Sequence, residues 1–173
     1  MHLLLIGLRG SGKTTIGRIL ADLRPQPFVD LDDRTTALGG QEASECFRNR
    51  DHGEARWREL EAQALEVALA EEPSIIALGG GTPTAPGALQ HIHEVRKHGL
   101  ARVAWLDAPD DVLLQRIGNN EDRPRLTDLP PAQEMAKIRA QREPVFQEIA
   151  DKHIDTAALT MDEVVAILAK LAD

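Results

Sequence analysis

A chain of 173 residues, 42% hydrophobic and 28% charged, can bury one core of ordinary size, and none of its apolar runs is long enough to span a membrane. Its net charge of −8 argues against general nucleic-acid binding, and the single Cys46 excludes an internal disulfide or a multi-cysteine zinc site. The expected compartment is a reducing cytoplasm, since Met1 runs straight into a strand with no secretion signal or transit peptide.

In chain order, strand-like runs are predicted at 2–6, 27–31, 74–78 and 101–106, with a short one near 153–155. Helical patterns fall between and after them, at 13–23, 42–50, 54–71, 86–98, 109–117, 131–150 and 160–172. The last opens on a capping box, Thr160-Met161-Asp162-Glu163, and carries a stripe of Val164, Ile167, Leu168 and Leu171. Such alternation predicts an α/β fold, a parallel sheet with helices on both faces and ligands at the carboxyl ends of its strands.

The first strand leads into Gly7-Leu-Arg-Gly-Ser-Gly-Lys-Thr14, a complete G-x-x-x-x-G-K-[ST] loop. Its glycines let backbone N–H groups turn inward around phosphate oxygens, and the following helix points its N-terminus at the anion. Gly10, Ser11, Gly12, Lys13, Thr14 and Thr15 are therefore the candidate nucleoside-triphosphate contacts. Lys13 reaches the β- and γ-phosphates, and the Thr14 hydroxyl ligates Mg²⁺.

The second strand ends Asp30-Leu31-Asp32-Asp33. Strand alternation puts Asp30 and Asp32 on one side, about 7 Å apart, one toward the metal's water shell and the other toward a substrate hydroxyl. Asp33 reads as a helix cap. In the helix from Glu54, positions 54, 58 and 61 share a face, so Glu61 can orient the Arg58 fork toward a carboxylate. The third strand runs into Gly79-Gly80-Gly81, where backbone is pressed close to a ligand.

Residues 118–130 have no periodicity and form a polar, arginine-bearing lid candidate, with Arg123 supplying charge to the transferring phosphoryl group. Arg142 is a second candidate for an anionic substrate. Residues 116–142 hold six basic against four acidic side chains, a net +2 inside an acidic chain.

Taken together, these motifs resemble the shikimate kinase family over nearly the whole chain. The pattern is the phosphate loop, Asp30/Asp32, Gly53-Glu54 with Trp57-Arg58 and Glu61, Gly79–Gly81, Arg123-Pro124, and Arg142-Glu-Pro-Val-Phe146. The resemblance implies a nucleoside-monophosphate-kinase-like P-loop fold, with five parallel strands and a mobile lid. It implies one domain spanning 1–173, whose helices at about 32–62 bind the acceptor. The implied reaction moves the ATP γ-phosphate to the shikimate 3-hydroxyl, with Mg²⁺ as cofactor.

By the same resemblance, Lys13, Asp32 and Arg123 are catalytic, and Asp32 holds the ring hydroxyls. Arg58, Arg142 and Gly79–Gly81 bind shikimate. Arg116 flanks the adenine, and Asp30 reaches Mg²⁺ through water. Trp57 stands where the family has Phe, Phe146 where it has Tyr, and two residues more than usual separate Phe47 from Gly53. The lid also carries an added Arg125.

A kinase for another hydroxy acid such as gluconate, and a non-catalytic nucleotide-binding module, are the alternatives. A GTP switch is disfavoured because no Asn-Lys-x-Asp motif occurs. Small molecules are the expected partners, without nucleic acid or membrane, and the expected state is a monomer. Trp57 reads either as a wall of the acceptor pocket or as core.

Overall fold

The computed structural model describes residues 1–48, 52–118 and 129–173, apart from the Ser44 side chain. Five parallel strands lie in the order β2-β3-β1-β4-β5. They are β1 (His2–Ile6), β2 (Phe28–Asp30), β3 (Ile75–Ala77), β4 (Ala101–Asp107) and β5 (Lys152–Asp155). The helices are α1 (Lys13–Asp22), α2 (Leu31–Gly39), α3 (Ala43–Arg48), α4 (Gly53–Ala70), α5 (Ala88–Lys97), α6 (Asp110–Ile117), α7 (Pro131–Ile149) and α8 (Met161–Leu171), with a 3₁₀ turn at Thr82–Thr84. The predicted α/β alternation is thus observed. The lid candidate, with Arg123 and Arg125, and the end of the helix predicted at 42–50 fall outside the described residues, which omit 49–51 and 119–128.

Strand alternation divides the interior in two. Leu4 and Ile6 of β1, Ile76 of β3, and Val103 and Trp105 of β4 join one apolar cluster, packed with Leu65 of α4, Ile92 of α5, Leu113 of α6 and Phe146 of α7. Leu3, Leu5, Ile75, Ala104 and Leu106 point the opposite way, onto Ile16 and Leu20 of α1 and Val164 and Leu168 of α8. Because β1 is buried on both faces, its sequence is uninterrupted His-Leu-Leu-Leu-Ile rather than alternating. The α8 capping box forms as expected, with Thr160 and Glu163 side chains each accepting the other's backbone N–H.

β1 sits centrally, with β3 on one side and β4 on the other. Every loop that leaves a carboxyl end of these strands therefore opens onto one edge of the sheet, beside the segment that follows β1.

Candidate active site

A cleft of about 680 Å³ runs along that edge. At its centre, Gly10 and Gly12 take φ of 83° and 91°, the left-handed region that a side chain disfavours. Gly12 caps α1 without any side-chain acceptor, so the first-turn amides of α1 open into the cleft in the arrangement that suits an anion. Lys13 Nζ donates to the carbonyls of Gly7 and Leu8, each at 3.0 Å, folding its ammonium over the loop.

The two aspartates are brought to this cleft, but not as strand alternation predicts. β2 ends at Asp30 and the chain turns at once into α2, so Asp32 lies in the first turn of a helix. Asp30 is the N-cap, accepting the Asp32 N–H at 3.1 Å through Oδ1. The cap assigned to Asp33 belongs to Asp30, because Leu31 is fully buried and draws the helix start forward. The second carboxylate oxygen of Asp30 accepts from the Thr14 hydroxyl at 2.9 Å, so one side chain joins the helix cap to the phosphate loop. Thr14 and Asp30 offer hard oxygen donors beside the loop, a set that suits Mg²⁺.

Asp32, Glu61 and Thr82 meet at Gly79. A Cβ built there lies 2.5 Å from Glu61 Oε1, 2.6 Å from Asp32 Oδ1 and 2.8 Å from Thr82 Oγ1, so only glycine fits. Arg58 Nη1 donates to Glu61 Oε2 and Nη2 to Glu54 at 3.3 Å, the orientation that the helix spacing predicts. A Cβ on Gly81 would collide with the Arg58 guanidinium, and one on Gly80 would lie 3.0 Å from Arg142 Nη1. Since consecutive Cα atoms are about 3.8 Å apart, the two guanidinium groups converge on one short stretch of backbone. Among the described residues, Arg142 makes no hydrogen bond or ion pair. Burial, then the like charge of Arg58, pushes its pKa down to about 10, leaving it cationic at neutral pH.

Glu61 is 2% exposed. Burial pushes its carboxyl above the usual range, opposed by the charge and hydrogen bond of Arg58; nearby Asp32 adds to the rise, and the hydrogen bond from Thr82 works against it.

At the other end of the cleft, Arg116 donates to Thr156 Oγ1 and to the Thr156 carbonyl, both at 2.8 Å, beside Ile117, Leu159, Met161 and Val164. Thr15 is on the cleft wall. Arg9 and Thr156 on the cleft wall, and Thr82 at Gly79, were not singled out by sequence reasoning. Thr82 stood next to the glycine run as a cue; Thr156 had none beyond following the last strand.

The basic segment divides by its partners. Arg139 is not free for a ligand, because it donates to Asp110 at 2.6 Å, Asp107 at 3.0 Å and the Ala108 carbonyl at 2.7 Å. Trp57 is 2% exposed, its ring centroid 6.3 Å from that of Phe47, which itself lies under Arg58. Phe146 is fully buried against Trp105, their ring centroids 5.9 Å apart.

The sequence model of the family described as shikimate kinase matches residues 9–172. A shikimate kinase of Rhodopirellula baltica is 35% identical over 178 residues, covering 99% of this chain and 90% of that one. One from Limosilactobacillus fermentum is 34% identical, covering 97% and 93%. Among solved structures, a shikimate kinase from Acinetobacter baumannii in complex with shikimate superposes with a TM-score of 0.87 at 26% identity, covering 98% of this chain and 91% of that one. A family model that spans residues 9–172, with relatives 35% and 34% identical over nearly the whole chain, makes this chain a member of the shikimate kinase family.

Proposed function

We propose that this protein is a shikimate kinase, transferring the γ-phosphoryl group of ATP to the shikimate 3-hydroxyl and releasing 3-phosphoshikimate and ADP, a step toward the aromatic amino acids. Beyond family membership, one observation carries the reading: the buried guanidinium of Arg142 faces the same glycine turn as Arg58 and, among the described residues, makes no ion pair. A single small carboxylate completes both, by charge-assisted and partly bidentate hydrogen bonds.

Phosphoryl transfer asks the protein for position and charge compensation. The acceptor oxygen bonds to the γ-phosphorus as the bond to the bridging oxygen breaks, and ADP leaves. In our assignment Asp32 aligns the acceptor hydroxyl and takes its proton, while the Gly79–Gly81 backbone lies against the ring. Lys13 and the Gly10–Thr15 amides hold the phosphates, and Arg116 flanks the base. Arg123, outside the described residues, is assigned to the transferring group by the family pattern. Thr14 and, through water, Asp30 would hold Mg²⁺, which when bound neutralises phosphate charge. The same reading takes 1–173 as one catalytic domain, a cytoplasmic monomer acting on small molecules. Among the described residues, no helix is long and apolar enough to cross a membrane.

The test is a panel of small hydroxy acids with ATP and magnesium, read as ADP release. Shikimate should be turned over with a kcat/KM at least about 100-fold above gluconate. Comparable turnover of gluconate, or ATP binding without acceptor-dependent ADP release, would overturn the assignment.

A further inference from the structure

Thr82 is fully buried, and the reaction as described gives it no part. It opens the 3₁₀ turn directly after the glycine run, and its amide donates to the Gly79 carbonyl at 3.1 Å. Its hydroxyl donates to Glu61 Oε1 at 2.9 Å, while Glu61 Oε2 accepts a hydrogen bond from Arg58 Nη1. Each oxygen of this buried carboxylate thus has a partner on a different element. The pair within α4 alone ties Arg58 only to its own helix; the bond from Thr82 ties that pair to the turn against which the acceptor lies. The charged groups facing Glu61 are Arg58 on α4, Asp32 on α2 and Arg142 on α7.

We propose that Thr82 is a positioning residue for acceptor recognition: its hydroxyl locks the Glu61 carboxylate, and Glu61 in turn holds the Arg58 fork toward the acceptor's carboxylate. The proposal rests on the acceptor-binding reading of Arg58. A carboxylate buried this deeply needs its hydrogen bonds, since each lost one favours the neutral acid, and a neutral Glu61 holds a guanidinium far less firmly.

Thr82→Val keeps the shape and removes the hydroxyl. We expect the KM for shikimate to rise about tenfold, with the KM for ATP within about twofold. The acid limb of kcat/KM for shikimate should move up by about one pH unit, because Glu61 then protonates more readily. Thr82→Ser should restore both. In a Glu61→Gln background, Thr82→Val should change KM by less than about twofold, as expected when one group acts through the other. If the valine variant fails to melt cooperatively, Thr82→Ala carries the same measurements. Wild-type KM and pH profile in the hydroxyl-free variant, or a serine variant as impaired as the valine one, overturns the proposal. Arg58→Ala separates the two levels: an unchanged acceptor KM there defeats the Arg58 reading itself and the proposal with it. A weakened Arg58→Ala beside an unaffected Thr82→Val defeats the Thr82 role alone.

Discussion

The two halves of the candidate site are built on opposite plans. The phosphate half is one contiguous segment, Gly7–Thr14, whose ligands are mainly backbone amides and whose lysine bonds back to the same loop. The half we assign to the acceptor draws single side chains from α2, α4, the glycine turn and α7; a buried ion pair and hydrogen bonds hold Arg58, Glu61 and Thr82, while Arg142 lies against Gly80. Local sequence therefore prescribes the first almost completely, whereas the second exists only where distant elements meet. A change in the first should strike the chemistry with every acceptor; a change in the second should strike recognition of one.

Lys13→Met tests the first half and has the largest expected effect, a fall in kcat of about 10³-fold for every acceptor that is turned over. Retention of near-normal kcat by ADP release would break the contrast. Asp32→Asn stands at the seam between the halves. It should lower kcat by about 10²–10³-fold while leaving ATP affinity, measured by calorimetry, within about twofold. Arg142→Met belongs wholly to the acceptor side, so the KM for shikimate should rise about 10–100-fold with a much smaller change in kcat. Its thermal midpoint should stay level or rise, because burial already disfavours that charge.

The amino-terminal edge of the sheet supplies a reference with no place in either half. Burial would raise the Asp151 carboxyl, but hydrogen bonds from Arg96 and the Val103 amide, with the charges of Arg96 and Arg102, outweigh it and hold the pKa below its ordinary 3.8. A depressed folded-state pKa contributes stability above the unfolded value and loses it as pH falls through the folded one. Asp151→Asn should accordingly cost about 1–2 kcal/mol at pH 7 in denaturant titrations, a gap that closes in acid, with kcat/KM unchanged. A loss of activity without loss of stability would mean that this edge is not neutral ground.

Where reading from sequence fell short, the cause lay in groups remote along the chain. Asp32 was expected on the same side of a strand as Asp30, yet the burial of Leu31 starts α2 one residue after Asp30 and puts Asp32 in the first turn of a helix, which changes its geometry but not the role we assign to it. Arg139 and Arg142 look alike in sequence, three residues apart on one helix. Only packing shows that the first is bound by Asp107, Asp110 and Ala108, whereas the second faces the glycine turn. Arg58 and Glu61, by contrast, were legible because helical spacing alone brings them together.

The chain's local patterns were sufficient to determine the α/β alternation, the phosphate loop and its nucleotide class, since each depends on residues within a turn or two of one another. What only the folded molecule decided is which arginine of α7 is bound by carboxylates and which faces the glycine turn, which carboxylate bonds to Arg58, and that Thr82 after the glycines bonds to that same carboxylate. Those outcomes depend on desolvation and close approach between segments tens of residues apart, and no short window of sequence contains them.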